Sequence, residues 1–278
     1  MHRRDCEVLP TFRYPNPMRF HALQTDPRWL DVAENRCRIV AMLDAVSYSD
    51  GDYVVLPEMC ETGWSTDAAH YASLHDSPTW FAQLAATRGI WIQAGYAEHL
   101  RDGRLANCVA VIDPKGVVRG TYRKNFLFPS ERAAFVEGSE ILVVETGSMR
   151  VCPLICYDLR FPELWRLAAL AGAEVFAVSS SWPAVRHEHW RSLLVARAIE
   201  NQACVIAANR TGNDPSAQYV GGSVAINALG VRLEESGSET RAVSATFDRG
   251  EFDAWRMKFG ALRDTRASLL GSIDVARV

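Results

Sequence analysis

A thiol, an ammonium and a carboxylate stand at comparable points of this chain, each just past a short apolar run. Cys156 follows residues 150–155. Lys124 follows residues 117–122, with Arg123 between. Glu58 follows residues 52–56, with Pro57 between. In open α/β sheets, reactive groups gather beyond the carboxyl ends of strands, so this spacing predicts all three on one rim. Together they fit acyl transfer. A thiol is a weak nucleophile until deprotonated. A carboxylate in a dry pocket can take its proton. An ammonium stabilises the oxyanion of a tetrahedral intermediate, an effect worth about 3–4 kcal/mol per donor, and the backbone N–H of Tyr157 offers a second donor. A fourth run, residues 174–179, leads into Ser181-Trp182-Pro183 and adds a wall to the same rim. Read singly, each residue has an ordinary alternative: a buried strand cysteine, a surface lysine beside Arg123, a solvated strand-end acid.

Positioning such groups needs alternating strands and helices. Residues 19–24 read as the first strand. Asp26-Pro27 reads as the N-cap and first turn of a helix whose buried face holds Ala33, Cys37 and Val40. Ser77-Pro78 starts a second helix, which Gly89 can end. Residues 91–96 and 106–112 read as strands. Asp113-Pro114-Lys115-Gly116 reads as the turn joining the latter to 117–122. Strands at 150–155 and 174–179 flank a helix over 162–172. A long helix over 187–202 precedes a strand at 204–208, and runs at 223–227 and 242–247 close the pattern. This is an α/β alternation. Residues 1–17, with Pro10, Pro15 and Pro17, read as an extension, and no linker or repeat divides residues 18–278, which favours one domain.

Composition narrows the function. The chain has 278 residues, 48% hydrophobic and 23% charged, with a formal net charge of −3. That size and polarity suit a soluble globular chain. A charge so near zero, with no basic block, makes no electrostatic case for nucleic acid or an anionic membrane. The longest apolar runs fall far short of the roughly 18 residues of a spanning helix, and no signal peptide is visible. Seven irregularly spaced cysteines point to a reducing cytoplasm. No metal site is expected: there is no CxxC or HExxH, and His187 and His189 are two apart, where a helical ligand pair needs four. No GxGxxG follows the first strand, which disfavours a dinucleotide-binding fold.

Three segments carry a family resemblance: Leu56-Pro57-Glu58, Tyr122-Arg123-Lys124, and Cys156-Tyr157-Asp158-Leu159-Arg160-Phe161-Pro162-Glu163. In order and separation they resemble the signature motifs of the nitrilase superfamily, the carbon–nitrogen hydrolases. Glu58-Met59 with Thr62-Gly63-Trp64, Trp182-Pro183 with Arg186, residues 196–202 and Asn209-Arg210 are similar to the ω-amidase-like branch. The resemblance implies a four-layer α-β-β-α sandwich, a homodimer or larger assembly, and no cofactor. It implies Cys156 as nucleophile, Glu58 as general base and Lys124 as oxyanion stabiliser. Glu131, seven residues before Gly138, would position substrate or water. Tyr157, Trp182, Arg186 and Phe128 would bind substrate. Arg186 suits a substrate carboxylate, against a surface role or an ion pair with Glu188. Asp158 and Arg160 are expected to brace the nucleophile turn, and Arg197 with Glu200 to form a structural ion pair.

The implied reaction is hydrolysis of the terminal amide of a small ω-amido (2-oxo) acid, releasing ammonia through a thioester. An N-carbamoyl amino-acid hydrolase or a nitrilase of the same fold are the alternatives, the nitrilase disfavoured by Tyr157 where those enzymes carry Trp. A catalytically silent binding protein is a further alternative, against which the complete Glu58, Lys124 and Cys156 set argues. The sequence departs from the family pattern at Phe126, where relatives commonly carry His, in the short stretch from Lys124 to Glu131, and at Cys60.

Overall fold

The computed structural model describes residues 17–71 and 74–278. The extension expected over 1–17 lies, apart from Pro17, outside the described residues. In chain order the elements are β1 (Arg19–Gln24), α1 (Val32–Ala45), β2 (Tyr53–Val55), α2 (Ser77–Arg88), β3 (Trp91–His99), β4 (Leu105–Ile112), β5 (Val118–Arg123), β6 (Glu140–Glu145), β7 (Arg150–Ile155), α3 (Pro162–Leu170), β8 (Val175–Ser180) and α4 (His187–Asn201). There follow β9 (Cys204–Asn209), β10 (Thr211–Asn213), β11 (Gln218–Val220), β12 (Val224–Ile226), β13 (Arg232–Glu235), β14 (Arg241–Thr246), α5 (Arg249–Lys258) and β15 (Asp274–Arg277). The strands build a sheet of order β14-β1-β2-β3-β4-β5, a second of order β13-β12-β9-β8-β7-β6-β15, and the small β10–β11 hairpin.

Strand alternation sorts side chains into layers. On β2, Tyr53 and Val55 face the second sheet, whereas Val54 packs outward with Ile39 and Leu43 of α1 and Phe81 of α2. On β4, Val109 and Val111 face inward while Cys108, Ala110 and Ile112 face the helices. Trp165 and Ala168 of α3 and Trp190 and Leu194 of α4 cover the second sheet. The result is α-β-β-α, as the resemblance implied. Gln93 bridges the two sheets: it accepts from Tyr53 Oη (3.0 Å) and donates to Ala177 O (3.0 Å) and Ser179 Oγ (3.1 Å).

Most elements fall where the sequence puts them. Gly89 ends α2 in the left-handed conformation (φ 65°), and Gly116 (φ 79°) closes the β4–β5 turn. The first helix is a correction. It starts at Val32, with the Asp31 carboxylate accepting from Glu34 N (3.1 Å), and it buries Asn35, Ile39 and Leu43. Ala33 and Cys37 are exposed and Val40 half-buried. The wider apolar side chains at 39 and 43 set the buried face, and Asp26 packs against Gly212 instead. Elements β6, β10, β11, β13, α5 and β15 were not read from the sequence.

Candidate active site

The carboxyl end of β2 in the first sheet and those of β7 and β8, parallel neighbours in the second, meet at one edge of the sandwich, where Ser181 N reaches the Glu58 carboxylate. Glu58 follows β2, Cys156 follows β7, and Ser181 follows β8. Lys124 follows β5, which runs parallel to β3 because each is antiparallel to β4. Glu58 can lie over β3 because position 95 is glycine: a Cβ there would meet Pro57 O at 2.6 Å and the Glu58 Cα at 2.7 Å. Cys156 has φ 41°. A non-glycine residue in that region costs about 1–2 kcal/mol, and the surrounding turn holds it there. Asp158 accepts from Ile155 N (3.0 Å), Phe126 N (3.0 Å) and Tyr122 Oη (2.8 Å). Arg197 donates twice to Leu159 O (3.1 and 2.8 Å) and pairs with Glu200 at 2.9 Å.

The charged groups form one buried cluster. Lys124 Nζ donates to Glu58 Oε1 (2.7 Å) and Glu131 Oε2 (2.8 Å), and all three side chains are at most 1% exposed. Asn107 Nδ2 lies 2.8 Å from both Glu58 Oε1 and Glu131 Oε1. Ser181 N donates to Glu58 Oε2 (3.0 Å). Trp64 Nε1 (3.0 Å) and Phe128 N (2.7 Å) donate to Glu131. Burial disfavours the Lys124 ammonium, but the charges of Glu131 and Glu58 more than offset it and hold the ammonium well above its ordinary range. Glu131 is held low against its own burial, chiefly by Lys124. Burial, then the Glu58 charge, push the Cys156 thiol up, while Lys124 and the Ser180 and Ser181 groups beside the sulfur pull it back. The thiol is therefore protonated near neutral pH and needs a base at the moment of attack. Burial raises the Asp158 carboxyl to about 7 despite its three donors.

Cys156, Glu58 and Lys124 open onto a cavity of about 330 Å³. Tyr157, Trp182, Arg186 and Phe128 line it, so the structure brings all four expected binding residues to one place. Tyr157 meets the Phe128 ring edge-on (centroids 5.3 Å, 88°). Arg186 lies over Phe128 (5.2 Å), with no ion pair to Glu188 among the described residues. Arg160 reaches further than the turn it was expected to brace. It lines the cavity as well as packing on the turn: its guanidinium lies over Trp182 at 4.8 Å and over Tyr157 at 6.0 Å, and donates to His189 Nδ1 (3.2 Å). Phe126 stacks on Phe161 (3.7 Å, 8°) behind the turn and is absent from the cavity wall.

Several site residues were missed. Asn107 is a lone amide on the inward register of an apolar strand, a signal the sequence did carry. Ser181 acts through its backbone N–H, which no side-chain pattern reveals. The β10–β11 hairpin supplies Ser216, Ala217 and Tyr219 to the far wall. Asp214 holds it, accepting from Ser216 N (2.8 Å), Ala217 N (2.9 Å), Tyr219 Oη (2.8 Å) and Arg210 Nη1 (3.1 Å).

Comparison with known proteins follows the same lines. A family model described as carbon-nitrogen hydrolase matches residues 21–257. The chain is 36% identical over 225 residues to a 2-oxoglutaramate amidase of Bacillus subtilis, covering 78% of this chain and 86% of that one. It is 32% identical over 252 residues to the omega-amidase YafV of Yersinia enterocolitica, covering 89% and 96%. Among solved structures, a CN-hydrolase superfamily protein from Xanthomonas campestris, with an arsenic adduct in its active site, superposes with a TM-score of 0.83 at 30% identity, covering 90% of this chain and 97% of that one.

Proposed function

The chain belongs to the carbon–nitrogen hydrolase family, and from that premise we propose that it hydrolyses the terminal amide of a small ω-amido 2-oxo acid such as 2-oxoglutaramate. One observation carries the reading: a buried thiol–carboxylate–ammonium set opens onto a cavity that two guanidiniums, Arg160 and Arg186, also line. The inner end suits an amide and the outer end a carboxylate.

In this reading Glu58 takes the Cys156 proton as the sulfur attacks the amide carbon. Lys124 and the Tyr157 N–H stabilise the oxyanion. The intermediate collapses, the C–N bond breaks, and Glu58 returns the proton to the departing ammonia. Water then loses a proton to Glu58 and attacks the thioester. The C–S bond breaks, the carboxylic acid leaves, and the thiol is restored. Glu131 holds Lys124 and Asn107 in place throughout. Arg160 and Arg186 hold the substrate carboxylate, and Phe128, Tyr157 and Trp182 shape the walls.

The same reading takes residues 18–278 as one catalytic unit that works in a reducing cytoplasm as a homodimer or larger assembly. The cysteines among the described residues are all free, which fits the first point. Exposed Leu170 and Ile199 on α3 and α4 fit the second. No helix among the described residues is long and apolar enough to cross a membrane. Light scattering on the purified protein checks the assembly, and a monomer at micromolar concentration would remove it.

Ammonia release tests the substrate class, using 2-oxoglutaramate, succinamate, glutamine, an N-carbamoyl amino acid and an aliphatic nitrile, with the Cys156→Ala variant as blank. Cys156-dependent release from the ω-amido acids is expected. Release from the carbamoyl compound or nitrile alone would move the substrate class.

A further inference from the structure

The two carboxylates of the cluster differ in how much of their accepting capacity the protein has used. A carboxylate offers about four lone-pair positions. Glu131 has four donors: Trp64 Nε1 and Asn107 Nδ2 on Oε1, Lys124 Nζ and Phe128 N on Oε2. Glu58 has three. Oε1 accepts from Lys124 Nζ and Asn107 Nδ2, and Oε2 accepts from Ser181 N alone. A single amide nitrogen thus reaches both carboxylates, with one N–H for each. Its orientation is fixed, since a flipped amide would aim Oδ1 at two anions. Asn107 is fully buried, and its Oδ1 has no partner among the described residues. A buried acceptor left unpaired is unfavourable, and an apolar side chain here would avoid it. The amide is retained at that cost, and its two donated hydrogen bonds are what it supplies.

We propose that Asn107 is a positioning residue that saturates Oε1 of Glu58 and so directs the Cys156 thiol proton to Oε2. The proposal rests on the reading of Glu58 as the base. The S–H bond breaks as the O–H bond forms on Oε2 and the sulfur bonds to the amide carbon. That oxygen later releases the same proton to the departing nitrogen. Glutamine or glutamate at 107 would not fit the spacing, and aspartate would set a third carboxylate against one ammonium.

The charged and titratable groups facing Glu58 are Lys124 after β5, Glu131 from the turn at Pro129–Glu131, Cys156 after β7, and Tyr71 from the turn at Ala68–Tyr71. Burial keeps the Tyr71 phenol neutral, so it carries no charge across the working range. Without Asn107 each carboxylate has one hydrogen bond fewer on its ionised form.

The test is the pH profile of kcat/KM for amide hydrolysis in Asn107→Leu, which keeps the branched shape and removes both donors, and in Asn107→Ala should the leucine protein not fold. The expected result is a kcat about 10- to 100-fold lower, a KM within about threefold, and an acid limb displaced upward by about one pH unit. A residue that merely supports the fold would lower the melting temperature and leave the limb in place. A folded variant with an unmoved acid limb overturns the proposal. Glu58→Gln separates the two failures. If Glu58→Gln is dead and the limb is unmoved, only the role of Asn107 falls. If Glu58→Gln turns over, the base assignment itself is wrong.

Discussion

The floor and the mouth of the cavity are built on opposite terms. On the floor, Lys124, Glu58, Glu131 and Asn107 are buried, and nearly every donor and acceptor is bound within the protein. At the mouth, Arg160 and Arg186 are half-exposed and rest on aromatic faces, with no carboxylate partner among the described residues. Fixed dipoles stabilise a transition state because they need no reorganisation when charge develops. Unpaired guanidiniums on flat rings are ready to accept a carboxylate from outside. Under the proposed function, the contrast assigns the rate of chemistry to the floor and the choice of substrate to the mouth.

Changes on the floor should break the molecule most. In Glu131→Gln, an amide N–H is turned against one of four donors, and the pairing of Lys124 is weakened. A fall in kcat of about 10²- to 10³-fold is expected, with KM within about threefold, read from ammonia release. A comparable rise in KM with kcat intact would move Glu131 from the floor to the mouth. The mouth sharpens the same comparison in the opposite sense. Arg160→Met and Arg186→Met should each raise KM for an ω-amido acid by about 10- to 100-fold, the range of a charge-assisted hydrogen bond. Their kcat should stay within about threefold. For an uncharged amide such as propionamide, KM should not change. A variant that loses kcat on both substrates would refute the division.

The smallest effect belongs to the turn beneath the nucleophile. The Asp158 carboxyl, raised by burial to about 7, titrates near 3.9 in an unfolded chain. Between those values the folded state binds more protons, so stability falls as pH rises. This contribution is fully present below about pH 4 and lost through pH 7. The urea midpoint should fall from pH 5 to pH 8 more in the wild type than in Asp158→Asn. Equal slopes would place the Asp158 titration elsewhere.

Much of this arrangement is legible in the sequence where local chemistry is strong. The Asp113–Gly116 turn, the Pro78 start and Gly89 stop of α2, and strand β7 with its thiol all follow from turn residues and apolar runs. The first helix departs from its sequence signal because Asp26-Pro27 is a strong start signal only in isolation. Tertiary packing of Ile39 and Leu43 on the sheet fixed another phase. The β10–β11 hairpin was not legible, since its strands have three residues each and owe their place to the Arg210–Asp214 pair. At the site, the placement of Glu58, Lys124, Glu131 and Cys156 near one another follows from strand ends and the family motifs. The Ser181 N–H and the inward turn of Arg160 depend on backbone course and long-range packing, which leave no side-chain signature.

The most direct test of the account is turnover by Cys156→Ala on 2-oxoglutaramate, with thermal unfolding measured on the same preparation. The floor assigns bond-making to one sulfur, so the expected result is a loss of about 10⁴-fold or more with an unchanged melting transition. A folded Cys156→Ala protein that keeps more than about 1% of wild-type turnover, a barrier increase of under about 3 kcal/mol, would contradict it.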